Sequence, residues 1–178
     1  MKWNGCRAVT DEPEVSAWLR SKALDPRAIA HRDLARSISS PPRLVIPKLR
    51  ADGHIAGLYQ FPVKGRSAKG STPPVPKPRF VLANLIGRGL LLHGKAPDWW
   101  TWRTIVLVDD LVEFLSWGSA YADTDDVPGV FLMPPGGWDR EFSRRIPDGS
   151  RVIVRTLQPP APAALSDLGP SCEVVIRR

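Results

Sequence analysis

Lysine and arginine are the residues whose number and spacing in this sequence most clearly suggest a function. That function is the binding of a polyanion. Eleven Lys and Arg lie between Arg43 and Arg103, where the only acidic residues are Asp52 and Asp98. Lysines and arginines at this density can contact successive phosphates of DNA or RNA. The candidate nucleic-acid-binding residues are Arg43, Lys48, Arg50, Lys64, Arg66, Lys69, Lys77 and Arg79.

The charge is distributed unevenly along the 178 residues, whose net charge is +7. Residues 1–103 contain 18 Lys and Arg against 7 Asp and Glu, whereas residues 104–178 contain 7 against 11. An excess of bases spread over a whole protein often gives only a solvated surface. Its concentration in the first part of the chain favours a localised surface for a polyanion.

Cysteine and histidine are too scattered to form a zinc or disulfide scaffold. Cys6 and Cys172 lie at opposite ends of the chain, and His31, His54 and His93 are far apart in sequence. No stretch approaches the roughly 20 apolar residues that cross a bilayer, and the first residues contain acids where a signal peptide would be apolar. We therefore expect a cytoplasmic protein that has no membrane partner.

The first residues predict a small helical pair. Asp11 is expected to cap the first helix, since Glu14 follows three residues later and apolar residues then recur on one face. Asp25 followed by Pro26 is typical of a helix start, so a second helix is expected from there until residues 39–42, where serines and prolines end it.

A hairpin and an irregular loop are expected next. The runs RLVIPKL and HIAGLYQF are rich in strand-forming residues and flank the turn signal Asp52-Gly53. Residues 62–78 are rich in Pro, Gly, Ser and Lys, which excludes a regular helix or a central strand. This loop is either an arm that contacts phosphates or a solvated linker.

The second half predicts a parallel sheet. Four short apolar runs, TIVLV, PGVFLM, RVIV and CEVVI, alternate with helix-sized segments at residues 110–121, 137–145 and 161–168. This alternation is typical of a β-α-β-α-β-α-β order with strands buried on both faces. Ligands of such sheets bind at the carboxyl ends of the strands, here Asp109, residues 133–137 and residues 155–160.

Three tryptophans lie close to the boundary between the two halves. Trp99, Trp100 and Trp102 stand between Lys95 and Arg103. Aromatic rings among lysines and arginines can stack on nucleobases, and they can equally pack two subdomains together. The packing interpretation is favoured because an exposed tryptophan is costly.

The succession of these elements resembles the catalytic core of bacterial primases, including those of phages and plasmids. The hairpin RLVIPKLRADGHIAGL matches the family's hairpin at Arg43, Ile46-Pro47, Asp52-Gly53 and Gly57, a Pro-Lys pair falls at Pro76-Lys77, and TIVLVDDLVEFLSWGSAY resembles the opening of its Toprim sheet. The resemblance implies an α/β fold, with a Toprim-like parallel sheet flanked by helices and preceded by a small α+β subdomain. The implied division is residues 1–97 for the basic subdomain and residues 98–178 for a degenerate Toprim domain.

The resemblance also implies where catalytic acids would lie. Asp109 falls on the position of the family's catalytic glutamate, Asp110 replaces the glycine after it, and Glu113 falls on the first motif's aspartate. Asp109 and Glu113 are therefore the candidate catalytic and metal-binding residues, as vestiges of that site that would bind one cation weakly, with Mg²⁺ as the implied ion. The alternative is a solvated strand end and helix start without a metal. The family's second acidic pair, Asp-x-Asp, is missing, because residues 155–158 read RTLQ.

The implied function is accordingly that of a non-catalytic, primase-like protein without a cofactor. It would bind single-stranded nucleic acid or a primer–template in the replication of a mobile element or in the control of that replication. One alternative is an active Mg²⁺-dependent primase or nuclease with a rearranged site. The other is an adaptor or inhibitor that mimics a primase and binds a replication protein.

Overall fold

The computed structural model describes residues 3–31, 33–49, 55–64, 83–84, 104–120, 129–132, 138, 140–144, 146–155 and 161–177. Together they form a mixed α/β structure. It contains a four-stranded antiparallel sheet and a five-stranded sheet, of which four strands are parallel. The α/β prediction is confirmed at this level.

The antiparallel sheet is built around the predicted hairpin. Its strands are β1 (Arg7–Ala8), β2 (Arg36–Ser39), β3 (Pro42–Leu49) and β4 (Ile55–Pro62), which lie in that order. The pairing of β3 with β4 confirms the hairpin. Strands β1 and β2 were not predicted, and they extend the sheet on the other side of β3.

The two predicted helices are present, but details of both predictions are wrong. Helix α1 (Pro13–Ser21) has Glu12 at its cap position without a side-chain hydrogen bond, so Asp11 does not cap it. Helix α2 (Pro26–His31) begins as predicted, because the Asp25 carboxylate accepts a hydrogen bond of 2.9 Å from the backbone N–H of Arg27. It ends at His31 rather than near residue 39, because the chain then forms β2 and hydrogen-bonds to β3.

The second sheet contains the predicted parallel strands. They are β6 (Thr104–Val108), β7 (Gly129–Leu132), β8 (Arg151–Arg155) and β9 (Glu173–Ile176), preceded by the short antiparallel strand β5 (Ala83–Asn84). The order across the sheet is β5-β7-β6-β8-β9. Helices α3 (Leu111–Ala120), α4 (Arg140–Ser143) and α5 (Pro162–Leu165) lie between the strands, which confirms the alternating order.

Helices cover both faces of the parallel sheet, which explains its uninterrupted apolar strands. On one face, Ile105 and Leu107 pack with Trp138, Phe142 and Ala164 from the segments around α4 and α5. The other face packs against α3 and against the N-terminal part of the chain. Its buried cluster includes Val15, Leu19, Ile29, Leu44, Ile46, Val106, Val108, Phe114 and Leu115. One hydrophobic core therefore contains residues from both sides of position 97.

No helix in the described part of the chain is long and apolar enough to cross a membrane.

Candidate functional site at the ends of β6 and β8

The strand order places a crevice between the carboxyl ends of β6 and β8. These two strands are neighbours, but the chain leaves β6 toward β7 on one side and leaves β8 toward β9 on the other. Open α/β sheets bind ligands at such a point, where the two connections diverge. Asp109 directly follows β6, and Arg155, the last residue of β8, is the register partner of Val108. Asp109 and Arg155 thus lie at the carboxyl ends of neighbouring strands, at the expected ligand-binding edge.

Asp110 is used to begin the helix that follows β6. Its Oδ1 accepts a hydrogen bond of 2.8 Å from the backbone N–H of Glu113, in the first turn of α3. This satisfies one of the amide groups that a helix start leaves without an intrahelical partner, a contribution of about 1 kcal/mol. Asp110 is therefore the N-cap of α3.

Glu113 and Arg155 form an ion pair that joins α3 to the end of β8. The Nε of Arg155 donates to Oε1 of Glu113. The Glu113 side chain is 26% exposed and that of Arg155 is 44% exposed, so the pair is only partly screened by water. The carboxylate neutralises one guanidinium and fixes its direction. A guanidinium has five N–H donors, and the ion pair described for Arg155 uses one of them.

Asp109 does not share a helix face with Glu113. It lies between the end of β6 and the start of α3 and is partly exposed. The two candidate catalytic and metal-binding acids therefore belong to different parts of the chain, Asp109 to the connection after β6 and Glu113 to α3.

The residues at this edge do not fit the two-metal site that the primase resemblance implies. Arg155 stands at the end of β8, where the primase resemblance would place a second acidic pair, and it already binds Glu113. Residues 156–158, which follow it, are Thr, Leu and Gln and supply no carboxylate. Mg²⁺ requires several converging oxygen ligands, and a fixed guanidinium repels it. Within the described ranges, no group of three or more His, Cys, Asp or Glu could hold a metal ion.

Two of the predicted nucleic-acid-binding residues lie at the same end of the β3–β4 hairpin. Arg43 is the register partner of Pro62, and Lys64 follows Pro62 by two residues. Arg43 donates a hydrogen bond of 2.7 Å to Oε1 of Gln60. Because this oxygen is neutral, the contact does not offset the positive charge of Arg43. Lys64, whose side chain is 71% exposed, forms an ion pair of 2.8 Å with Glu14. The two residues therefore differ in their described partners, a neutral amide for Arg43 and a carboxylate for Lys64.

The remaining predicted positions are distributed differently. Lys48 lies within β3. The other predicted bases fall outside the described residues: Arg50, Arg66, Lys69, Lys77 and Arg79. The same holds for Trp99, Trp100 and Trp102, for residues 133–137 at the end of β7, and for residues 156–160 after β8.

No family model, curated protein or solved structure matches this chain. Its function is therefore inferred from its own residues and their arrangement.

The sequence places Arg155 at a predicted ligand-binding strand end, within residues 155–160, but indicates no role for it. The run RVIV predicts the strand, which the structure extends to Arg155. A base was not expected there, since the resemblance directs attention to missing acids. Its ion pair with Glu113 could not be predicted, because it requires α3 and β8 to lie side by side.

Proposed function

We propose that this chain is a non-catalytic, primase-like protein of the Toprim type that binds nucleic acid. Its proposed partner is single-stranded DNA or RNA, or a primer–template. Its proposed role is in DNA replication or the control of replication, in a phage, a plasmid or another mobile element. The observation that supports this most is the position of Arg155 at the ligand-binding edge of the parallel sheet, paired with Glu113.

The chemistry of that edge favours a phosphate over a metal ion. A guanidinium presents several N–H donors in one plane, and its charge-assisted hydrogen bonds match phosphate oxygens. Glu113 uses one of these donors and holds the plane in place, while the side chain stays 44% exposed. Because the guanidinium is preorganised, less conformational entropy is lost when a phosphate binds.

The basic first half of the chain supports the same proposal. Phosphate contacts by Lys and Arg supply most of the affinity for nucleic acid, whatever its sequence. Arg43 contributes one positive charge from the hairpin, where its described partner is the neutral Oε1 of Gln60. The Arg-rich and Lys-rich stretch around it contributes further charge.

The first test is the binding of fluorescent single-stranded DNA, with and without Mg²⁺, over a salt series. A protein that makes several phosphate contacts loses about 10³-fold or more in affinity between about 50 and 200 mM salt. We expect this steep dependence on salt and no dependence on Mg²⁺. Mg²⁺-dependent binding with nucleotidyl transfer or cleavage, lost in D109A, would support the enzyme alternative. Absence of binding, together with salt-insensitive association with a replication protein, would support the adaptor.

Arg155→Gln tests the proposed site directly, and Arg151→Gln is its matched control. Arg151 begins the same strand, is exposed and pairs with Glu173 at 3.3 Å, but it lies at the opposite edge of the sheet. We expect R155Q to weaken binding by about fivefold to tenfold and to lower the salt slope by about one, with R151Q close to wild type. Equal losses in both variants would show that general charge is sufficient, and would refute the proposed site.

A further inference from the structure

Strand β9 is an end strand of the parallel sheet. Within the described ranges it pairs with β8 alone. The backbone N–H groups of Glu173 and Arg177 donate to the carbonyls of Ser150 and Val154, at 3.0 and 2.8 Å. Because successive residues of a strand direct their backbone groups to alternate sides, those of Val174 and Ile176 point away from β8. These groups form a row that can pair with another strand.

Most side chains of β9 favour such pairing, and its one charged residue is Glu173. Its sequence, EVVI, contains three β-branched residues and no proline, glycine or lysine. Ile176 is 47% exposed, one of two large hydrophobic residues with this degree of exposure among those described. Val174, which lies on the same side of the sheet, packs partly against the cluster around Phe142. A strand added beside β9 would bury Ile176 next to that cluster.

We propose that β9 pairs antiparallel with β9 of a second copy of this chain, about a two-fold axis at Val175. Val174 then forms hydrogen-bonded pairs with the partner's Ile176, through the backbone groups that point outward. Glu173 lies directly opposite the partner's Arg177, and Arg177 opposite the partner's Glu173. These are non-hydrogen-bonded positions, where side chains across a strand pair lie closest together. The strand is thus complementary in charge to itself.

This charge pattern selects one register among those that the backbone allows. A shift of the two-fold axis to Val174 places Glu173 opposite the partner's Val175. A shift to Ile176 places Arg177 opposite the partner's Val175. Both shifts lose the two symmetric ion pairs, so only the register about Val175 combines outward hydrogen bonds with opposite charges. The result is one continuous sheet through both copies.

The test is sedimentation of the full chain across a wide concentration range, without nucleic acid, so that the outcome is separate from the proposed function. We expect wild type to dimerise by mass action. Glu173→Arg places arginine opposite arginine at both symmetric positions, and Arg177→Glu places glutamate opposite glutamate. Each variant alone is expected to dimerise about tenfold or more weakly.

Mixing the two variants separates lost pairing from lost folding. The E173R chain carries arginine at both positions and the R177E chain carries glutamate at both, so an equimolar mixture restores both ion pairs in a heterodimer. Recovery of the dimer in the mixture also demonstrates that both chains fold. Arg151→Gln, which removes the neighbour of Glu173 within the same chain, is expected to leave the dimer intact.

Three results would overturn the proposal. The first is that the wild-type chain stays monomeric at every concentration, even if it binds an added extended peptide. The second is a dimer whose strength is the same in E173R and R177E as in wild type. The third is a pair of weakened variants whose mixture remains monomeric.

Discussion

At the scale of single residues, the role of Glu113 is decided by its partner. In the sequence it is an acid one helical turn after an apolar strand, at a position that the primase resemblance assigns to metal binding. In the structure it accepts a hydrogen bond from Arg155. A carboxylate beside a cation orients and neutralises that cation, which fits the proposed phosphate site better than a metal site.

Glu113→Gln distinguishes the two roles. If Arg155 binds phosphate, the variant removes a negative charge from the site while keeping a hydrogen-bond acceptor of the same size. A unit charge about 4 Å away contributes about 1 kcal/mol in water, so the affinity for single-stranded DNA should rise about fivefold at low salt. The measurement is a fluorescence titration, with D11N, at an exposed aspartate of the N-terminal region, as the control for the loss of one negative charge. An unchanged affinity would contradict the charge argument, and the loss of a Mg²⁺-dependent activity would favour the enzyme alternative.

At the scale of elements, one carboxylate holds α4 to the turn after α5. Asp167 accepts hydrogen bonds from Nε and Nη2 of Arg140, both at 2.8 Å, and forms an ion pair of 2.9 Å with Nε of Arg144. The bidentate bond from Arg140, with the charges of both arginines, lowers the pKa of Asp167 below its ordinary value of 3.8. The two short helices on this face are thereby joined to each other as well as to the sheet.

Asp167→Asn should therefore lower stability in a pH-dependent way. A carboxyl whose pKa is lower in the folded state stabilises the protein above its unfolded pKa and loses that effect as the pH falls through the folded pKa. The variant should have a lower free energy of unfolding at neutral pH, and the difference should shrink as the pH falls below about 4. Urea denaturation at a series of pH values measures this, with D11N at an exposed aspartate as the control. A difference that does not depend on pH would contradict the assignment.

At the scale of the whole molecule, the antiparallel sheet and the parallel sheet share a core. Leu44 and Ile46 from β3 belong to the same buried cluster as Val106 and Val108 from β6, and all four are 0% exposed. A core that joins two sheets couples their stability, because opening one exposes apolar surface of the other. The predicted boundary between residues 97 and 98 would then divide the sequence without dividing the folding unit.

Leu44→Ala tests that coupling. Truncation of a fully buried leucine costs about 2–5 kcal/mol. We expect one cooperative urea transition, shifted by this amount and identical by tryptophan fluorescence and far-ultraviolet circular dichroism. Ile55→Ala, at a residue 48% exposed, is the matched control and should change little. Two separate transitions, with only one shifted, would indicate that the two regions fold independently.

Local patterns in the sequence were sufficient for the elements that are long or have strong local signals. The four apolar runs predicted the parallel strands because these strands are buried on both faces, and the Asp52-Gly53 turn predicted the hairpin around it. Asp25 with Pro26 predicted a helix start because capping depends on neighbouring residues alone. The uneven charge along the chain and the absence of an acidic pair after RVIV are likewise properties of the sequence.

Tertiary structure alone decided the features that join distant segments. Strands β1 and β5 are two residues long, too short to carry a periodic pattern, and they exist because neighbouring strands accept their hydrogen bonds. The residues that form β2 were predicted as helix because nothing local indicated that β3 needed a second partner. The contact of Glu113 with Arg155 depends on the order of strands β6 and β8. That order follows from the packing of helices on both faces, because the burial of apolar surface depends on the whole chain.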